Sequence, residues 1–211
     1  MAKTLNQLST RAALVEAARD FHSRGWMLGT AGNLSARCLA TDSNAFWITA
    51  SGLPKGSLEE SDFLCVDIAS GELALLNHTD AKPSAETTIH QTIYRLFPHA
   101  HCCMHVHSVE ASLAVARHAA GSSHLLLPEL EMIKGFGIWE EHPRVLLPVF
   151  ENHLSVPQIA QDIESYYRVN NPALNALMIR NHGITVWGPS IQETYNRVEL
   201  IEFILCYLSK L

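Results

Sequence analysis

Long apolar runs, blocks of like charge and paired cysteines are all missing from this chain of 211 residues. Each absence closes off a class of protein. No stretch approaches the roughly 20 apolar residues that a membrane span needs. The N-terminal segment MAKTLNQLSTRAALVEAARDFHSRG mixes apolar and polar residues at helical spacing, so no secretory leader is expected. Charged residues make up only 17% while hydrophobic ones reach 47%, which argues against disorder and for a sizeable core. The five cysteines (Cys38, Cys65, Cys102, Cys103 and Cys206) form no CxxC pair and no even framework. They read as reduced thiols, which points to a soluble, cytoplasmic protein. Basic residues are outnumbered, 15 Lys and Arg against 21 Asp and Glu, and the net charge of −6 disfavours a nucleic-acid partner. A small anionic substrate stays compatible, because the field in a cleft can oppose the global charge. Repeats, low-complexity tracts and linkers are absent too, so one domain over residues 1–211 is expected.

What is abundant is histidine: twelve residues, four of them His99, His101, His105 and His107. On a strand, residues i and i+2 face the same side, so a His-x-His pair can converge on one metal ion. Parity puts all four, with Cys103, on one face, and spacing alone does not separate the 99/101 pair from 105/107. A catalytic zinc typically takes three protein ligands and leaves a position open. His182, in Arg180-Asn181-His182-Gly183, is the third candidate, because it interrupts the otherwise apolar run 176–187. Read alone, the pair fits partly exposed strand histidines as well as it fits ligands, and His182 fits a turn histidine beside a glycine; iron, cobalt or manganese would also suit three imidazoles.

Two carboxylates accompany them. Glu86 is expected in the first turn of a helix over 84–97 with Ser84 as N-cap, where the helix dipole favours its charge. Glu131 sits among apolar residues in ELEMIKG, where partial desolvation would raise its pKa and suit proton transfer. The bland alternatives are a dipole partner and a solvated loop acid. The glycine-containing loops GTAGNLS (29–35) and TASG (49–52) offer backbone amides to an oxyanion, and Lys55 offers a point charge.

Around these motifs the pattern alternates. A helix is expected over 5–24, ending at Gly25, then short β runs at 33–38, 46–49 and 63–68 in an antiparallel meander. A strand follows at 101–108, a helix at 109–119, a strand at 145–150 and a helix at 157–169. A strand at 176–187 broken at 181–183 precedes a last helix from Ser190. The fold class is therefore α/β, with a mixed or largely antiparallel sheet flanked by helices.

In order, GTAGNLS (29–35), ITASG (48–52), PSAET (83–87), HVHS (105–108) and RNHGITVWG (180–188) resemble the class II aldolase/adducin family. The resemblance implies a central, mainly antiparallel sheet and a homotetramer with active sites at subunit contacts. It implies one Zn2+ per subunit on His105, His107 and His182, and a substrate phosphate site at Asn33, Ser51, Gly52 and Ser84. Glu86 matches the acid/base carboxylate of the family's sugar-phosphate aldolases. The segment EMIKGFGIWEEH (131–142) resembles a branch that removes water from a ketose 1-phosphate, in which Glu131 is the expected acid/base. Ala85 departs from the family's usual serine pair, leaving Ser84 and the Ala85 amide for phosphate. Aldol cleavage or epimerisation, with Glu86 as acid/base, are alternatives that share metal and phosphate sites. A non-catalytic adducin-like binding module is the reading of a different class. Met27, Cys103 and Phe136 are candidates to line an apolar pocket near these motifs.

Overall fold

The computed structural model describes residues 4–38, 44–74, 80–171 and 174–211; of the turn residues Thr41-Asp42-Ser43-Asn44, which the sequence places between the first two β runs, the first three fall outside the described residues. Eight strands, β1 (Asn33–Arg37), β2 (Ala45–Thr49), β3 (Phe63–Asp67), β4 (Cys102–Val106), β5 (His124–Leu126), β6 (Leu146–Phe150), β7 (Ala176–Ile179) and β8 (Gly183–Gly188), build one sheet. Their order is β3-β2-β1-β4-β8-β7-β6-β5. Every neighbouring pair is antiparallel except β6 and β7. The expected meander is β1 to β3, and the broken strand is the β7–β8 hairpin. Strand β5, three residues long, is too short to leave a periodic signal.

Helices α1 (Thr10–Ser23), α2 (Thr87–Leu96), α3 (Val109–His118), α4 (Val156–Tyr167) and α5 (Ile191–Ser209) cover both faces. Strand β4 shows why two layers are needed. Cys102, Met104 and Val106 point into a core shared with α1, α3 and α5, while Cys103 points into a second core shared with α2 and α4. A central strand buried on both sides reads as a continuous apolar run, and β4 does so apart from His105. None of the helices among the described residues is long and apolar enough to cross a membrane.

Two expected helix starts shift. Helix α1 begins at Thr10, after a separate 3-10 turn at Leu5–Gln7, because Ser9 caps it by accepting from Ala12 N. Helix α2 begins at Thr87 rather than Ser84. Pro83 bridges Ala50, and Ser84 N donates to Thr49 O at 3.1 Å, which holds 83–84 extended along β2. The Ser84 carbonyl then accepts from Thr87 N and the Thr87 hydroxyl. Glu86 consequently occupies the N-cap position, not the first turn.

Where α5 crosses α3, Glu202 is 2% exposed and accepts from the Ser108 hydroxyl at 2.6 Å. Burial pushes its carboxyl up to about 7 from an ordinary 4.5; Glu110 adds to the rise and the Ser108 bond opposes it. A carboxyl whose folded pKa is raised stabilises the fold fully below its unfolded pKa and loses that contribution as pH rises through the folded value. Glu202→Gln keeps the Ser108 bond and removes the titration. The Tm of the wild type should therefore fall relative to the variant from about pH 4.5 to just above pH 7, then run parallel to it. A Tm difference that stays constant over this range in thermal melts would refute the assignment.

Candidate metal centre and adjoining pockets

One register row crosses the sheet: Asn33 of β1 pairs with His105 of β4, and His105 pairs with Thr185 of β8. His105 is 1% exposed, and its Nδ1 lies 2.9 Å from Thr185 Oγ1. That hydrogen bond orients the ring and turns Nε2 toward the cluster. His107 follows just past the end of β4, its N–H donating to Trp26 O at 2.8 Å. His182 sits in the β7–β8 turn, where Asn181 takes a left-handed φ of 53°. Gly183 is required there: a Cβ would lie 2.2 Å from Val106 O and 2.8 Å from the His107 ring.

The three rings stand edge-on to one another, with centroids 4.7, 5.0 and 4.6 Å apart. His105 Nε2 is 2.8 Å from His107 Nε2. Glu86 closes the group, with Oε1 2.7 Å from His182 Nε2 and Oε2 3.4 Å from His105 Nε2. All four ligand atoms lie within 4.8 Å of one another. Burial pushes His105 down to about 4 and His107 down to about 3, so both are neutral at physiological pH, the form a metal needs. Burial opposes ionisation of Glu86, but His105, His182 and Asn33 together outweigh it and hold the carboxyl well below its usual range. Three imidazole nitrogens and one carboxylate suit a divalent cation.

Behind Glu86 runs a buried chain that sequence reading missed. Asn33 Nδ2 donates to Glu86 Oε2 at 2.6 Å, so Asn33 Oδ1 is left to accept from His90 Nε2 at 2.5 Å. With its proton on Nε2, His90 accepts at Nδ1 from the Ser35 hydroxyl at 2.6 Å, and Tyr94 Oη lies 2.7 Å from Ser35 Oγ. Burial pushes His90 down to about 4, which keeps it in this neutral form. The signal was present: His90 lies one helical turn after Glu86, and Ser35 shares the face of Asn33 on β1.

Two cavities flank the cluster. The first, of about 210 Å³, is lined by Asn33, Ser51, Gly52, Ser84, Ala85 and Glu86 among others. All four residues expected to hold phosphate therefore meet in one place. The bond from Ser51 N to Lys82 O and the Ala50–Pro83 bridge bring the loops together. Lys55 also lines this cavity, but it is 2% exposed and its ammonium donates to Thr30 O and Leu53 O at 2.7 and 2.8 Å. Its charge acts from beneath the pocket. The second cavity, of about 440 Å³, is lined by His107 and His182 and adjoins the first at Ala31 and His107.

The family model for the class II aldolase and adducin N-terminal domain matches residues 12–207. The chain belongs to this family. Relatives at high identity include the methylthioribulose-1-phosphate dehydratase of Microcystis aeruginosa, 55% identical over 94% of both chains. The enzyme of the same name from Leptospira biflexa is 44% identical over 90% of this chain and 91% of its own. Among solved structures, L-fuculose-1-phosphate aldolase from Thermus thermophilus superposes with a TM-score of 0.71 at 25% identity, covering 95% of this chain and 93% of that one.

The other candidates fall elsewhere in this class II aldolase fold. His99 and His101 are exposed at the opposite end of β4, away from the cluster. Glu131 opens a 3-10 helix at Glu131–Phe136, which the sequence reading treats as a loop. Its side chain is 81% exposed and pairs with Lys134 at 3.0 Å, so the desolvated environment expected for it is not found within one chain. It lines neither cavity at the cluster. Met27 and Cys103 are fully buried in the cores, and Phe136 packs against one of them, so none of the three lines these cavities.

Gly183→Ala should push β8 off β4 at the point where His105 and His107 diverge. The expected outcome is a soluble variant with lowered Tm and less than stoichiometric metal by elemental analysis. Full metal content in a folded variant would show that the close approach is dispensable.

Proposed function

We propose that this chain is a zinc-dependent hydro-lyase that converts 5-methylthioribulose 1-phosphate into 2,3-diketo-5-methylthiopentyl 1-phosphate and water, a step of methionine salvage. The observation that carries the reading is the junction of the imidazole–carboxylate cluster with the serine-lined cavity, in a chain so similar to the dehydratase relatives. His105, His107 and His182 would hold the metal with one position left for substrate. A metal held there would supply Lewis acidity to the substrate carbonyl and so make the neighbouring C–H proton more acidic. The substrate phosphate is taken by Ser51, Gly52, Ser84 and the Asn33 side of the cavity, over the buried charge of Lys55.

Glu86, ionised and held by Asn33, accepts the C3 proton. Glu131 donates a proton to the departing C4 hydroxyl, which leaves as water. The resulting C3 enol loses its O–H proton to Glu131, and Glu86 returns its proton to C4, giving the diketone. Glu131 reaches the reaction from a neighbouring copy in the homotetramer that the resemblance implies, with sites at subunit contacts. A cytoplasmic location accords with the reduced thiols of the chain.

One observation favours a second reading. Glu86, not Glu131, contacts the cluster within the chain, and Glu86 is the acid/base of a sugar-phosphate aldolase.

The test is turnover of zinc-loaded protein on 5-methylthioribulose 1-phosphate, fuculose 1-phosphate and ribulose phosphate. A diketone from the first alone supports the dehydratase; dihydroxyacetone phosphate from the others moves the function to aldolase. Glu86→Gln and Glu131→Gln should each lower kcat by about 10²–10⁴-fold, the usual range for general acid–base groups, while keeping stoichiometric zinc. Near-normal turnover in Glu131→Gln would remove it from the mechanism. Chelation should abolish turnover and zinc should restore it.

A further inference from the structure

The cavity of about 440 Å³ beside His107 and His182 differs in chemistry from the one that would take phosphate. Its walls are Leu28, Ala31, Val109, Leu113 and Ala116, with Ser108, Ser112 and Asn181 as polar neighbours. Among the described residues no Asp, Glu, Lys or Arg lines it, whereas Lys55 and Glu86 both line the phosphate-side cavity. Helix α3 explains how the apolar wall arises. It buries Ala111, Ala114 and Val115 against the core. The face at i, i+4 and i+7 (Val109, Leu113 and Ala116), where a surface helix usually carries polar residues, is left outside. Val109 is 69% exposed, Leu113 42% and Leu28 60%. His107 and Ala31 line both cavities, so the two adjoin and a ligand bound at the cluster can extend into each.

We infer that this cleft binds the alkylthioether end of the substrate, with Leu28, Val109 and Leu113 setting the preference for a C5 thioether over a C5 hydroxyl. The inference rests on the dehydratase reading. Phosphate on one side of the metal ligands anchors C1, which sends the C4–C5 end past His107 and His182 toward the only kind of surface that desolvates a CH2–S–CH3 group at no polar cost. Polarisable sulfur packs well against aliphatic walls.

The test compares wild type, Leu28→Gln and Leu113→Gln, all zinc-loaded, with two ligands. One is the thioether substrate, 5-methylthioribulose 1-phosphate, read through its KM. The other is ribulose 1-phosphate, which carries a hydroxyl at C5 and is read as a competitive inhibitor. Both positions are exposed, so neither substitution opens the core, and Tm serves as the control for folding. The expected result is a KM for the thioether raised by about 10- to 200-fold, the range for losing one apolar group's fit, with ribulose 1-phosphate bound as before. If both variants keep the wild-type preference for the thioether, the assignment is overturned, while diketone formation by the wild type still upholds the dehydratase reading. If the preference is kept and light scattering shows a smaller assembly, the cleft is a subunit contact and the assignment is equally overturned. A wild type that binds the two sugars equally well also overturns it. Absence of diketone from the wild type counts separately, against the dehydratase reading.

Discussion

The register of three antiparallel strands is the constraint on which the rest depends. Asn33, His105 and Thr185 stand in one row across β1, β4 and β8. From that row Thr185 orients the His105 ring, and Asn33 holds the carboxylate of Glu86. A slip of one residue in either pairing would turn His105 to the opposite face of the sheet and take it away from Asn33 and Thr185 together. The burial of β4 on both faces makes such a slip costly, since it would exchange the side chains of two packed cores. The position of the cluster is thus enforced by hydrophobic packing that has no chemical role of its own.

Electrostatics at the cluster then follow from depth. Burial favours neutral imidazoles at His105 and His107, and the ionised Glu86 opposes that preference without overcoming it. His105, His182 and Asn33 in turn keep Glu86 ionised against its own burial. A buried carboxylate needs partners for both oxygens, and His182 at Oε1 and Asn33 at Oε2 supply them. The chain from Asn33 through His90 and Ser35 toward Tyr94 orients the Asn33 amide so that its donor, not its acceptor, meets Glu86.

The asymmetry of the surroundings gives the cluster direction. Loops held to β2 by backbone hydrogen bonds build a polar cavity on one side, and an unburied apolar face of α3 builds a cleft on the other. A ligand lying across such a boundary is oriented by the difference between its two ends.

Much of this was readable from the chain alone. Short β-rich runs at 33–38, 46–49 and 63–68 located the meander, and the motif order from GTAGNLS to RNHGITVWG identified the family and selected His105, His107 and His182. These signals are local or ordered along the chain, so no folding is needed to read them. Folding decided what depends on contacts between distant segments. The choice between His-x-His pairs by geometry needed to know which end of β4 meets the β7–β8 turn. The start of α2 at Thr87, and with it the place of Glu86, depends on Pro83 pairing with Ala50. The burial of Lys55 and of Glu202, the exposure of Glu131 and the hydrogen bonds of His90 all follow from neighbours more than 20 residues away or from packing between helices. Sequence patterns fix which way a side chain can point; only the assembled layers fix what it meets there.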